Sequence, residues 1–258
     1  LLATPATAVD TSVNVDTTWS GAIVLTGNVT VMNGSTLTLS PGTTVDGGDG
    51  YWIRVEGTLS ASHSDFFSSQ VPLTSGSHGA GLWTGIYVTN KGHAVLSEVT
   101  IENAKTGIKV EGNLSANKVT IKDSYIGINV IGSADITSLT AQHIDYEVLR
   151  NSGFLNLSSG TFTDIAGGLW STGISTVDTL AISQAGTGLR STSGTLSATG
   201  IGFIDTTVAI ASQQGASTTV DSITANNVAL LIDASDSDDL TISSAAVSGQ
   251  RLLLANGA

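Results

Sequence analysis

Glycine recurs between residues 92 and 215 at a nearly constant interval of 20 or 21 residues. A repeat of this period is typical of a solenoid, in which each unit buries its apolar face only against its neighbours. The period therefore predicts one elongated repeat body in which most positions serve stacking. The glycines of the series are Gly92, Gly112, Gly132, Gly153, Gly173, Gly194 and Gly215.

Apolar and polar residues alternate within each repeat, which is the pattern of short strands whose successive side chains point in and out. Three strands and their turns fill a repeat of 20–22 residues, so we predict an all-β solenoid with three short strands per coil. The predicted inward columns are Val99, Val119, Leu139, Gly160, Leu180, Ile201, Ile223; Ile101, Ile121, Ala141, Phe162, Ile182, Phe203, Ala225; Ile86, Ile108, Ile128, Val148, Leu169, Leu189, Ile210, Ile232; and Ala94, Leu114, Ala134, Leu155, Ser175, Leu196, Ser217.

A polar column marks one predicted corner of the coil. Asn and Asp dominate it, and both tolerate a left-handed backbone. The glycine series marks another corner, where a positive φ or close backbone approach is required. The polar corner column contains Asn103, Asp123, His143, Asp164, Gln184, Asp205 and Asn227.

These repeated features cover roughly residues 51–234 and resemble the right-handed, single-stranded parallel β-helix of secreted pectate-lyase-like proteins and of microbial surface proteins. Residues 51–59 (YWIRVEGTL) and 82–88 (LWTGIYV) resemble the opening coils of such chains. The resemblance implies a parallel β-helix and an extracellular or cell-surface location. It implies no single activity, because one fold serves many functions.

Composition narrows the range of partners. The net charge is −12 with only 9 Lys and Arg, which argues against nucleic acid and would repel long anionic polymers. The chain has no cysteine, so disulfides are excluded. No apolar run approaches the about 20 residues of a membrane span.

We predict two parts along the chain. Residues 1–20 form an N-terminal extension or cap, and residues 21–258 form the β-helix domain, with a loop insertion at 68–80. The apolar C-terminal segment offers no helix to cover the last coil. Because an open sheet edge favours aggregation, we expect a further chain or a partner to cover that end.

An outward file of large aromatic and cationic residues is the main candidate for a binding face, since exposed patches often mark contacts. From it we predict Tyr87, Lys109, Trp170 and Arg190 as ligand-binding residues, with ordinary cross-strand stacking as the alternative. The predicted file contains Tyr87, Lys109, Asn129, Leu149, Trp170, Arg190, Ala211 and Asp233.

Catalytic and metal chemistry finds little support in the sequence. The 20-residue spacing predicts cross-coil ion pairs between Glu98 and Lys118 and between Glu102 and Lys122. Glu102 with Asp123 is the one pair of carboxylates that could approach the separation a glycoside hydrolase needs. His143 fits the corner column better than an acid–base role. We therefore assign no catalytic residue and no metal ligand.

Three weaker features complete the list of candidates. Structural calcium is an alternative at residues 46–50 or at the Asp cluster of residues 233–239, although neither matches a known calcium loop. Four Asn-x-Ser/Thr sequons offer glycosylation candidates. A broken threonine file suggests an ice-binding solenoid, although threonine is also a common strand residue. The sequons are at Asn28, Asn33, Asn113 and Asn156, and the file contains Thr100, Thr120, Thr140, Thr161, Thr224 and Thr241.

The sequence therefore favours a non-catalytic structural or adhesive module, a rigid rod with a glycan- or protein-binding face. A polysaccharide-processing enzyme, either a lyase or a glycoside hydrolase, is the principal alternative, and an ice-binding solenoid is a minor one. We expect no cofactor.

Overall fold

The computed structural model describes residues 6–8, 11–69, 81–213, 215–234, 239–248 and 254–255, which contain strands and no helix. The strands are β1 (Ala6–Ala8), β2 (Thr11–Val13), β3 (Thr17–Trp19), β4 (Ala22–Leu25), β5 (Val29–Val31), β6 (Thr36–Leu39), β7 (Thr44–Asp46), β8 (Trp52–Val55), β9 (Thr58–Phe67), β10 (Gly85–Val88), β11 (His93–Glu102), β12 (Thr106–Val110), β13 (Asn113–Val130), β14 (Ser133–Ile136), β15 (Leu139–Asn151), β16 (Phe154–Ser171), β17 (Ile174–Ser191), β18 (Thr195–Ser212), β19 (Ser217–Asp233), β20 (Asp239–Ile242), β21 (Ala245–Ser248) and β22 (Leu254–Ala255).

The strands form a parallel β-solenoid of about 11 turns, which confirms the predicted fold class. Each strand pairs in parallel with segments one coil before and after it, and the longest strands continue round corners. Three sheets result, numbered here in the order in which the chain visits them. Sheet 1 includes residues 99–102, 119–122 and 139–142, sheet 2 includes 106–110, 126–130 and 147–151, and sheet 3 includes 113–116, 133–136 and 154–157.

The first three strands lie within the segment predicted as an N-terminal extension or cap. They pair in parallel with β4, β5 and β6 respectively, one strand for each sheet. Residues of this segment therefore form the first strands of the three sheets of the solenoid.

The core runs along the axis as stacked apolar columns. The first two predicted columns are in register throughout, as in Val99–Val119–Leu139. The third column needs one correction, because Leu149 rather than Val148 pairs with Ile128. A β-bulge shifts the register after Ile144 by one residue, so Val148 is buried beside the column instead of within it.

The fourth column also needs one correction. Thr218, rather than Ser217, pairs with Leu196 and is 1% exposed. The Thr218 hydroxyl lies 2.9 Å from the Ser212 Oγ, so this buried polar group is satisfied.

The polar corner is confirmed in full, because all seven residues have φ between 51° and 58°. A second left-handed corner, which was not predicted, includes His63, Glu98, Lys118 and Ser222. None of these residues is Asn or Asp, so the preference that identified the first corner gave no signal for the second.

Close backbone approach, more than φ, accounts for the glycine series. A Cβ on Gly112 would meet the carbonyl oxygens of Thr89 and Gly92 at far below van der Waals distance. The seventh member was predicted wrongly, since the register places Ala216 in the column. Gly215 precedes it and has a φ of 76°, which explains the glycine by conformation instead.

Candidate functional site

The outer face of sheet 2 carries the file of aromatic and cationic side chains, in which Arg190 is exposed and the two aromatic residues are half-buried. Two corrections extend the predicted file: Arg54 pairs with Tyr87, and Arg150 occupies the place predicted for Leu149. Leu149 points inward because of the bulge. The file contains four of the nine Lys and Arg of the chain. Its members are Arg54, Tyr87, Lys109, Asn129, Arg150, Trp170, Arg190, Ala211 and Asp233.

Tyr87 lies between two cations that are both neutralised. The Lys109 Nζ is 4.5 Å and the Arg54 Cζ is 5.4 Å from the ring centroid. Arg54 pairs with Glu56 at 2.8 Å, and Lys109 pairs with Glu111 at 2.7 Å. The Tyr87 hydroxyl donates to Glu111 at 2.6 Å. These five residues are called the Tyr87 cluster.

The hydrogen bonds of the Tyr87 cluster shift two titrations in opposite directions. Donation from Lys109, and then from Tyr87, lowers the pKa of Glu111 below its usual value. Donation to Glu111 raises the pKa of Tyr87. Both shifts favour the ionised carboxylate, so this cluster holds its charges in closed pairs.

Trp170 also lies between two cations. The Arg150 Cζ is 4.5 Å and the Arg190 Cζ is 5.3 Å from its ring centroid, and the indole Nε1 donates to Thr192 Oγ1 at 3.0 Å. Among the residues that the structure describes, neither guanidinium forms an ion pair. Arg150, Trp170 and Arg190 are called the Trp170 cluster.

A hollow beside Trp170 is lined by Tyr146, Glu147, Gly167, Trp170 and Arg190, among others. The β-bulge of β15 places Glu147 opposite Gly167 on β16. A Cβ on Gly167 would lie 3.2 Å from the Glu147 Cγ, so the glycine leaves room for the glutamate side chain. The extra residue of this coil and the glycine of the next one together form the hollow.

Glu147 is the unusual group in the hollow. It is 7% exposed, and its Oε2 is buried without a hydrogen-bond partner. Burial raises the pKa of Glu147 to about 7, although the charges of Arg150 and Arg190 oppose the shift. Near neutral pH this carboxyl is therefore present in both protonation states.

Two stacked tyrosines lie at the corner between sheets 1 and 2, and one of them, Tyr146, lines the hollow. The rings of Tyr125 and Tyr146 are 5.4 Å apart and within 9° of parallel, with 43% and 37% of each residue exposed. These rings and Arg150 were not predicted from the sequence. The 21-residue interval between Gly132 and Gly153 signalled an extra residue, but not its position within the coil.

The charged residues considered for catalysis are paired as predicted. Lys118 contacts Glu98 at 3.2 Å, and Lys122 contacts Glu102 at 2.9 Å. Glu102, one of the two carboxylates considered for hydrolysis, is therefore held in an ion pair with Lys122.

His143 is a member of the corner ladder. Its Nδ1 lies 3.2 Å from Asp123 and its Nε2 lies 3.3 Å from Asp164, so one imidazole bridges carboxylates of the preceding and following coils. The prediction that His143 serves the corner is confirmed. The same contact engages Asp123, the other member of the carboxylate pair considered for hydrolysis.

The predicted calcium alternatives are only partly within the described residues. Asp46 accepts a hydrogen bond from the backbone of Gly48 at 3.0 Å, which closes a turn, and another from the backbone of Ser69 in the next coil at 3.1 Å. Asp236 and Asp238 lie outside the described residues, as does most of the predicted 68–80 loop. Among the described residues, no group of three or more His, Cys, Asp or Glu could hold a metal ion.

The sequons and the threonine file lie at the surface. Asn33, Asn113 and Asn156 are exposed, while Asn28 is half-buried and accepts a hydrogen bond from the Trp52 backbone. The threonine file needs one correction: Thr224 pairs with Ala246, and Thr241 lies on sheet 3. The file is thus even less continuous than the sequence suggested.

The part of the chain that the structure describes contains no helix long and apolar enough to cross a membrane.

Comparison with known proteins shows the fold. Neither a protein-family model nor a curated protein matches the sequence. PfbA, a surface adhesin of Streptococcus pneumoniae, has a similar structure, with a TM-score of 0.54 and 9% identity over 89% of this chain and 81% of that chain. The A-module of mannuronan C-5 epimerase AlgE4 from Azotobacter vinelandii gives a TM-score of 0.27 and 10% identity, over 95% and 91% of the two chains.

Proposed function

We propose that this chain is a non-catalytic adhesive module, located outside the cell or at its surface, that binds a glycan through the outer face of sheet 2. The observation that carries the proposal is the Trp170 cluster. There, a half-buried aromatic ring lies between two arginines that form no ion pair in the described residues. Aromatic and arginine side chains dominate binding energy at many recognition surfaces.

The scaffold supports this proposal physically. The cluster stands on three adjacent strand segments of one parallel sheet, whose backbones are fixed by hydrogen bonds on both sides. A site on such a rigid surface loses little conformational entropy when a ligand binds. The fold is also one that a pneumococcal surface adhesin uses, which agrees with a surface location.

A glycan array with three forms of the protein tests the proposal. We expect the wild type to bind a defined set of glycans and Trp170→Ala to weaken binding tenfold or more, about 1.4 kcal/mol. Tyr87→Ala, a ring between two cations that are already paired, is the matched control and should weaken binding less than about threefold. Melting curves verify that both variants fold.

Two results would contradict the proposal. If no glycan on the array binds, the proposed ligand class is wrong. If Trp170→Ala and Tyr87→Ala weaken binding equally, the Trp170 cluster is not the binding site. Binding of a protein in place of every glycan would assign the face to protein recognition instead.

A polysaccharide-processing enzyme is the second candidate, and Glu147 is the observation that favours it. A carboxyl with a pKa near 7 beside Arg190 has the properties of a general acid. A lyase and hydrolase screen with wild type and Glu147→Gln tests this function. Turnover that the substitution abolishes would establish catalysis and overturn the adhesive proposal.

A further inference from the structure

We infer that the hollow beside Trp170 binds a single terminal acidic sugar, whose carboxylate pairs with Arg190 while the carboxyl of Glu147 holds a proton. The inference rests on the proposed function, because it names the ligand class and the proton linkage of the same face.

The charge of the site indicates an anionic ligand. Arg190 is exposed, borders the hollow and has no carboxylate partner among the described residues. Arg150, on the other side of the indole ring, likewise forms no ion pair with any described residue. Glu147 is the one carboxyl that lines the hollow, and its Oε2 makes no hydrogen bond. A ligand carboxylate would supply the planar partner that a guanidinium prefers.

The rings at the site indicate that the anion is carried on a sugar. Trp170 and Tyr146 both line the hollow, and Tyr146 continues into the stacked pair with Tyr125. These are broad apolar surfaces with polar edges, next to a charged group. A free carboxylate ion would use Arg190 alone, whereas a sugar ring would also cover the aromatic surface.

Protonation of Glu147 follows from its surroundings. The charged groups that act on it are Arg150 on its own strand and Arg190 on β17. The residues paired with it on β13 and β16 are Ile126 and Gly167, which carry no charge. An ionised Glu147 would repel a ligand carboxylate at short range, whereas the protonated group carries no charge to oppose it.

The negative charge of the rest of the protein restricts the ligand to a sugar at the end of a glycan. The net charge is −12, and screening limits useful attraction to about 8 Å at physiological salt. A longer polyanion would leave the two arginines and approach Asp123 and Asp164 at one corner or Glu111 along the file. A single acidic sugar at the end of a glycan avoids this repulsion.

Titrations with small probes test the inference. The probes are methyl β-glucuronide, the neutral methyl β-glucoside, acetate and polygalacturonate. Binding is followed through the indole NH signal of Trp170, which Trp170→Phe identifies. We expect the glucuronide to bind best, with an affinity about 30-fold lower at pH 8.5 than at pH 6.0, because binding requires a proton on a group with a pKa of about 7.

Two variants make the test specific. Glu147→Gln mimics the neutral acid, so it should bind the glucuronide at pH 8.5 as tightly as wild type does at pH 6.0. Arg190→Gln should lose binding at both pH values. Arg54→Gln, in the Tyr87 cluster, is the control and should behave like wild type.

The outcomes separate this inference from the function on which it rests. Equal affinity for glucoside and glucuronide, or binding that does not change with pH, overturns the inference but leaves a glycan-binding face. Tightest binding of acetate or of polygalacturonate also overturns it. Loss of binding at pH 6.0 in Glu147→Gln overturns the role of the proton. A glycan array without any bound glycan overturns the proposed function itself.

Discussion

The Tyr87 and Trp170 clusters have the same arrangement but differ in charge, because the cations of the first are paired with carboxylates and those of the second, among the described residues, are not. They lie in one file on sheet 2, four coils apart, which is about 19 Å at the usual strand spacing. In each, an aromatic ring lies between two cations of neighbouring coils. The difference is the residue two positions after each cation. Glu56 and Glu111 follow Arg54 and Lys109, whereas Ser152 and Thr192 follow Arg150 and Arg190.

This difference shows how one strand position decides whether a cation on this face is paired with a carboxylate. A glutamate at the second position reaches back to its cation and closes the pair, as in Arg54–Glu56. A serine or threonine is too short to do so and carries no charge, so the guanidinium stays available to a ligand. The Tyr87 cluster is therefore a self-contained surface network, and the Trp170 cluster is open.

The largest expected effect is the pH dependence of stability that Glu147, beside the Trp170 cluster, and Glu111, in the Tyr87 cluster, each produce. For Glu147 the folded pKa of about 7 exceeds the ordinary value of 4.5. Its stabilising contribution is therefore complete below pH 4.5 and falls as pH rises towards 7, by about 3 kcal/mol. Denaturant unfolding of wild type and Glu147→Gln between pH 4 and 8 measures it, since only the wild type should lose this amount.

Glu111→Gln is the matched substitution in the Tyr87 cluster and should give the opposite sign. The pKa of Glu111 is lowered in the folded protein, so its contribution is present above the ordinary carboxyl range and disappears as pH falls through its folded pKa. The same sign for both variants would show that the two clusters do not differ in charge balance.

The next largest effect is a loss of ligand affinity when the Trp170 cluster is given a glutamate like those of the Tyr87 cluster. Ser152→Glu places a carboxylate two positions after Arg150, as Glu111 follows Lys109, and should close that guanidinium into a pair. We expect the affinity for an acidic sugar to fall about fivefold, roughly 1 kcal/mol. Calorimetric titration of the variant measures this, with Ser152→Gln as the uncharged control. If Ser152→Glu leaves the affinity unchanged, the residue two positions after the cation does not decide whether the cation is available to a ligand.

The smallest effect is the salt dependence of the two clusters. Lys109→Met breaks an ion pair that is partly exposed, so it should cost under about 1 kcal/mol at low salt and less at 1 M salt. Arg190→Met breaks no ion pair among the described residues, so its stability change should depend less on salt. Thermal unfolding at the two salt concentrations distinguishes them, and parallel salt responses would contradict the difference.

The sequence predicted the stacking and the corners well because both repeat. Seven left-handed corner residues and two complete apolar columns lie where the period placed them. The candidate site was predicted less completely. Trp170 and Arg190 were expected in one outward file, but the bulge of β15 placed Arg150 in the position expected for Leu149 and buried Glu147. A periodic pattern averages over coils, so it cannot locate an event that occurs in only one of them.

The bulge also has a consequence for how such a rod acquires new chemistry. In an isolated hairpin an inserted residue reverses every later side chain, whereas here pairing resumes at Glu147 and Leu149 stacks normally on Leu169. The corner confines the insertion to a single turn. The extra residue buries an acid while the pairing with both neighbouring coils resumes within the same turn. In such a solenoid, one residue added at a corner can change the chemistry of one coil without changing the register of the next.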